Sequence, residues 1–117
     1  MDKRVLVTGA VGMIGQYLVR KCIERGYFVR ATDIRVDEIY ENVCDEHKKQ
    51  FEFVQADLRN FSECKEVVKD IDIVFQVAGV KGSTQRASQE PNDYFTPMLQ
   101  FNTNMAEAAR LEEVEWY

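Results

Sequence analysis

Gly9, Gly12 and Gly15 stand three residues apart in Thr8-Gly9-Ala10-Val11-Gly12-Met13-Ile14-Gly15, directly after the apolar run Val5-Leu6-Val7. Glycines at that spacing can close a strand and open a helix. They also leave the backbone bare enough for a pyrophosphate to reach its N–H groups. On this reading Gly9 makes the tight turn, Gly12 admits the phosphate, and Gly15 lets the helix pack against the strand. Val11, Met13 and Ile14 supply the backbone between them. The helix opening near Met13 turns its partly positive end toward the anion. Asp33 follows Gly15 by eighteen residues, where a dinucleotide-binding βαβ unit places the carboxylate that accepts ribose hydroxyls. A carboxylate repels a 2′-phosphate, which favours NAD over NADP. Arg35, just past Ile34, could still recruit that phosphate and keeps NADP open. The competing account is a glycine-rich turn with an unrelated acid downstream.

Further along, Asp57-Leu58 closes another apolar run, where an acid can meet the adenine amino group and the leucine can cover the ring. An acid capping the next helix is the other reading of Asp57. Val77, Ala78 and Gly79 end a later run with small residues, where bulk would block a dinucleotide's path. Two apparent catalytic motifs are expected to be decoys. Tyr17-x-x-x-Lys21 lies on the helix after the phosphate turn, and Ser62-Glu63-Cys64-Lys65 lacks every other part of a serine–lysine site. No catalytic residue is assigned. Cys44 and His47 form no metal site without a second pair, and Cys22, Cys44 and Cys64 are expected to be reduced thiols.

Alternating strands and helices must position these residues. Strands are expected over Lys3 to Thr8, Tyr27 to Asp33, Phe51 to Ala56 and Ile71 to Val77, the first and last of them apolar on both faces. Helices are expected over Met13 to Arg25, with Ile14, Leu18, Val19 and Cys22 inward and Gly26 as a stop, and over Val36 to Lys49. A further helix is expected over Phe61 to Asp70, with Val67 and Val68 inward. Lys81 to Glu90 reads as a polar loop. A long helix then runs from about Asn92 or Tyr94 to Glu112, with Met98, Phe101, Met105 and Ala109 inward and Pro97 in its first turn or at a kink. Val114 to Tyr117 reads as the opening of a fifth strand. The pattern predicts an α/β fold with a doubly wound parallel sheet of order 3-2-1-4-5, cut at its fifth strand. Gly9 to Gly15, Asp33, Asp57 and Val77 to Gly79 then all fall at the carboxyl ends of strands.

The chain has 117 residues, an apolar content of 45% and a formal net charge of −5, the composition of one globular domain. No basic cluster is long enough to track a phosphate backbone, so nucleic acid is not an expected partner. No apolar run approaches the roughly 20 residues of a membrane span. The first strand begins at once, leaving no room for a signal peptide, and a cytoplasmic location is expected.

Val5-Leu6-Val7-Thr8-Gly9-Ala10-Val11-Gly12-Met13-Ile14-Gly15 resembles the opening of the extended short-chain dehydrogenase/reductase family, the NAD-dependent epimerases and dehydratases of nucleotide sugars. Arg30-Ala31-Thr32-Asp33, Gln55-Ala56-Asp57-Leu58-Arg59 and Val74-Phe75-Gln76-Val77-Ala78-Gly79 resemble its later cofactor segments. Asn92 to Arg110 resembles the corresponding helix of GDP-fucose synthases. Gln76, Gly79 and Met98 depart from the histidine, alanine and asparagine that members commonly carry. The resemblance implies a Rossmann fold, NAD as cofactor, an oxidoreductase-type activity and a nucleotide-sugar substrate in the full-length protein. It is compatible with a homodimer. It also implies that the catalytic Ser/Thr, the Tyr-x-x-x-Lys pair and the sugar-binding domain follow the fifth strand. The chain is therefore expected to be the NAD(P)-binding part, residues 1–117, of such an enzyme. A non-catalytic dinucleotide sensor is the alternative.

Overall fold

Residues 3–47, 49–80 and 84–117 are described by the structure, a computed structural model. Strands β1 (Arg4–Thr8), β2 (Phe28–Asp33), β3 (Phe51–Gln55) and β4 (Ile73–Phe75) form one parallel sheet in the order β3-β2-β1-β4. Val5 lies beside Val29 and Ile73, and Ala31 lies beside Phe53. The order agrees with the doubly wound arrangement expected from the sequence. A single parallel bridge joins Ile73 to Trp116 where the fifth strand was expected. There the Val74 N–H donates to the Trp116 carbonyl at 2.8 Å.

Successive strand residues face opposite sides, and helices cover both. Val5 and Val7 pack with Val19 and Cys22 of α1 (Met13–Glu24) and Tyr40 of α2 (Ile39–Glu46). Leu6, between them, packs with Cys64 and Val67 of α3 (Phe61–Val67). Met105 and Ala108 of the last helix, at Asn92–Leu111, join the same cluster. Each fully buried aliphatic side chain contributes about 1.5–3 kcal/mol relative to exposure.

Several boundaries differ from expectation, each for a physical reason. The ladder of β4 ends at Phe75 rather than Val77. The N–H groups of Val77 and Ala78 leave it to donate to the buried Thr8 hydroxyl, at 3.0 and 3.1 Å. That hydroxyl in turn donates to the Gln76 side-chain carbonyl at 3.0 Å. Helix α2 starts at Ile39, whose N–H donates to the Asp37 carboxylate at 3.0 Å, three residues later than expected. Helix α3 stops at Val67, and Asp70 takes a left-handed φ of 59° to turn the chain toward β4. Thr84–Gln89 is not loop but a short helix, α4. It holds no glycine or proline and is rich in helix formers, with Pro91 just beyond its end. Residues 81–83 of the expected loop lie outside the described residues. The last helix is therefore α5 (Asn92–Leu111), and Pro97 sits in its second turn, where it removes one intrahelical N–H donor.

The inward stripe of α1 is also corrected. Gly15, Val19 and Cys22 are buried, whereas Ile14 is 62% exposed. The helix crosses so close to the chain at Gly9 that only a glycine fits there. Ile14, one residue earlier, is turned away from the sheet. In α5, Met105 and Ala109 are buried as expected, but Met98 is partly exposed.

Candidate functional site

At the carboxyl ends of the four strands lies a cleft of about 470 Å³. Gly9, Gly12, Met13, Ile14 and Gly15 line it from the β1–α1 turn. Asp33, Ile34 and Arg35 line it from the end of β2. Asp57 and Leu58 line it after β3, and Val77, Ala78 and Gly79 after β4. Of the residues assigned to cofactor binding in the sequence, Val11 alone is not part of the lining. It stands behind the turn, its N–H donating to Asp33 Oδ2 at 2.9 Å and its carbonyl accepting from Gln16 Nε2 at 2.8 Å. Two lining residues were missed as site residues, Ala56 and Phe101. Phe101 belongs to the apolar stripe of α5 and carries no chemical signal in the sequence.

The turn is built by close approach. Gly9 has φ +63°, and a Cβ there would lie 2.8 Å from the Ala78 backbone. A Cβ on Gly15 would lie 2.2 Å from the Gly9 carbonyl oxygen. Gly12 is the N-cap of α1, and no side chain caps that helix. Its first-turn amides therefore border the cleft with the favourable end of the helix dipole, an arrangement suited to an anion. Gly79 is different. A Cβ there would make only ordinary contact with Met98, 3.6 Å from its sulfur, so an alanine fits at that position.

Two carboxylates flank this turn in different states of engagement. The Asp33 side chain is 8% exposed. It accepts the N–H of Val11 on one oxygen and the N–H of Arg35, at 3.0 Å, on the other. A carboxylate has about four acceptor sites, which leaves capacity for hydroxyl donors from the cleft. The Arg35 guanidinium lies 3.9 Å from the same carboxylate. Asp57 is gripped by Arg59, whose Nη2 approaches Oδ2 at 2.6 Å and whose backbone N–H donates to Oδ1 at 3.0 Å. Hydrogen bonding to Arg59 holds the Asp57 carboxyl below its ordinary range. The helix-capping alternative for Asp57 is overturned. Asn60 caps α3, its Oδ1 accepting the Ser62 N–H at 3.1 Å.

The expected decoys lie away from the cleft lining. Tyr17 is 54% exposed, with the Lys21 ammonium 5.5 Å from its ring centre and 3.5 Å from Glu24. Ser62 donates to the side chain of its neighbouring cap, Asn60. The three thiols are unpaired, and burial pushes Cys64 up to about 11. Among the described residues no cluster of three or more His, Cys, Asp or Glu side chains could hold a metal ion, and no helix is long and apolar enough to cross a membrane.

A parallel doubly wound sheet with a glycine turn and a cleft at its carboxyl edge defines a Rossmann-like domain. Residues 5–116 match the NAD dependent epimerase/dehydratase family, and the chain belongs to that family. It is 31% identical over 114 residues to GDP-mannose 3,5-epimerase 1 of Oryza sativa subsp. indica, covering 96% of this chain and 29% of that protein. It is 26% identical over 110 residues to UDP-glucose 4-epimerase of Rickettsia bellii (strain OSU 85-389), covering 90% of this chain and 30% of that protein. Among solved structures, UDP-glucose-4-epimerase from Stenotrophomonas maltophila, with bound NAD and formylated UDP-arabinopyranose, shares the fold. Its TM-score is 0.83 at 24% identity, over 97% of this chain and 35% of that one. A mutated uronate dehydrogenase gives a TM-score of 0.69 at 28% identity, over 97% and 37%. The chain thus spans about a third of the length of the relatives it matches.

Proposed function

We propose that this chain is the NAD-binding portion of a nucleotide-sugar epimerase or dehydratase. The observation that carries the reading is the convergence of the glycine turn, Asp33, Asp57-Leu58 and Val77 to Gly79 on one cleft. The residues fit the group. The uncapped amides of α1 suit the pyrophosphate, Asp33 has spare acceptor sites for ribose hydroxyls, and Leu58 offers an apolar wall beside the Asp57 carboxylate. NAD would supply the hydride acceptor for the sugar, while these side chains bind and orient it. Asp57 would receive the adenine amino group only on acceptor sites that Arg59 leaves open.

The proton-transfer groups and the sugar-binding domain are proposed to belong to the further length that the relatives possess. Among the described residues the titratable side chains lining the cleft are Asp33, Arg35 and Asp57. None of these is assigned a catalytic role. The likeness of α5 to the helix of GDP-fucose synthases puts GDP-sugars first in a substrate panel. A dinucleotide sensor without catalysis is not favoured, since the relatives named above are enzymes.

Asp33 decides the cofactor on this reading. Titration calorimetry is expected to show tighter binding of NAD than of NADP, and Asp33→Ala is expected to narrow the difference. A native preference for NADP would sink the assignment and give the choice to Arg35.

A further inference from the structure

We propose that Tyr40 is a positioning residue for the glycine turn, holding it from α2 in the conformation that receives a pyrophosphate. The inference rests on the reading of the cleft as a dinucleotide site. Between Gly9 and Gly12 the backbone has four polar groups, and all four are held by the protein. The Ala10 N–H donates to the Thr32 carbonyl at 3.1 Å, and the Ala10 carbonyl accepts the Tyr40 hydroxyl. The Val11 N–H donates to Asp33 and the Val11 carbonyl accepts from Gln16. These two residues therefore form the frame of the turn. The Gly12 N–H donates to the Gly9 carbonyl at 3.1 Å, and the first-turn amides of Met13, Ile14 and Gly15, which line the cleft, are left to meet the ligand.

Tyr40 comes from a different element than the turn it holds, thirty residues along the chain. It is 4% exposed, and its ring stacks on Phe51 and Phe53 at 5.4 and 5.3 Å, with interplanar angles of 19° and 22°. Those contacts fix the direction of the phenol. They need only the ring, which phenylalanine would supply equally. Burying a hydroxyl costs free energy unless it is partnered, and here the partner is the turn. Tyr40 and Asp33 thus grip adjacent residues, one at the carbonyl of Ala10 and one at the N–H of Val11. Both grips come from the segment that begins at the end of β2, the same segment whose Asp33 faces the ribose on the proposed reading.

A turn released from one of these bonds spends part of its time in other conformations. Apparent affinity then falls by the fraction of molecules still competent to bind. Loss of a hydroxyl that served folding alone would lower the unfolding temperature and leave the affinity of the folded protein unchanged. Tyr40→Phe separates the two, because it keeps the stacked ring and removes only the donor. Calorimetric titration with NAD is expected to show about 3- to 10-fold weaker binding by the variant than by the native chain. Amide exchange at Val11 should be faster in the variant. Affinities equal within about twofold, with native binding intact, would overturn the role of Tyr40 and spare the dinucleotide site. Failure of the native chain to bind NAD would remove the site and the inference together. A measurement on the native, NAD-free chain stands apart from the variant's stability. The Ala10 and Val11 amides should be protected from exchange to the level of β1, and free exchange there would overturn the proposal.

Discussion

A Cβ on Gly15 would stand 2.2 Å from the Gly9 carbonyl oxygen, whereas Gly12 has φ −72° and ψ 168°, angles open to any residue. Two glycines of one motif therefore answer to different constraints. Gly15→Ala must push α1 off the turn, and is expected to destabilise the fold by about 3 kcal/mol or more in urea unfolding. Gly12→Val should unfold within about 1 kcal/mol of the native chain yet lose NAD binding, because its side chain would fill the space beside the first-turn amides. Wild-type affinity in that variant would take the turn out of the site. Asp57 makes a prediction about acid. Its carboxyl is held below the ordinary value of 3.8 by Arg59, so the pair stabilises the fold above that value. The contribution is lost as the pH falls through the lowered one. The pair is partly exposed, and its worth is about 0.2–1 kcal/mol. Asp57→Asn should therefore cost that much in urea unfolding at pH 7 and progressively less below pH 4, with a smaller cost in high salt. An equal cost at both pH values would show that the ion pair is not the cause.

Helix α3 is fixed at its two ends by side chains of different origin. Asn60 caps its start locally, whereas its last carbonyl and that of Lys69 just beyond are met from the sheet. Arg30 of β2 donates through Nη1 to the carbonyls of Val67 and Lys69, at 2.7 and 2.8 Å, and pairs with Glu52 at 3.2 Å. A guanidinium at a helix C-terminus satisfies acceptors that the helix cannot. Arg30→Ala is expected to cost about 1.5–3 kcal/mol in thermal or urea unfolding. NAD affinity should be unchanged, since Arg30 does not line the cleft. A loss below about 0.5 kcal/mol would mean that water replaces the guanidinium without penalty. Helix α1 shows the opposite design. It ends in Gly26 at φ +86°, but its start has no side-chain cap. The end left without a cap is the one that borders the cleft.

In the molecule as a whole, the cleft exists because four parallel strands end on one edge while helices cover both faces. Each strand end contributes a different kind of residue to it: glycines, an acid held by backbone amides, an acid held by an arginine, and small apolar residues. Phe101 of α5 adds one wall from across the sheet. The same layering explains the two cores, with alternate residues of β1 divided between α1 and α2 on one side and α3 and α5 on the other. The match to the NAD dependent epimerase/dehydratase family runs from the first strand to the bridge at Trp116. The chain spans about a third of the length of the relatives it matches, so activity on a nucleotide sugar stands as a proposal.

The sequence by itself determined the parallel α/β order, the glycine turn and the placing of Asp33, Asp57 and Val77 to Gly79 at strand ends. These are local matters, since glycine spacing, short apolar runs and punctuation at Gly26 act within a few residues of where they are written. Tertiary structure alone decided what depends on distances between remote segments. Ile14 is exposed because Gly15 crosses against Gly9, and β4 stops at Phe75 because Thr8 takes the next two amides. Thr84–Gln89 became helix where polar composition suggested loop. Phe101 reaches the cleft, and Tyr40 reaches Ala10, only because crossover helices bring them there. Composition and periodicity carry which face of an element is apolar. They do not carry how closely two elements approach, and that distance selects which atom of a distant residue meets which atom of the turn.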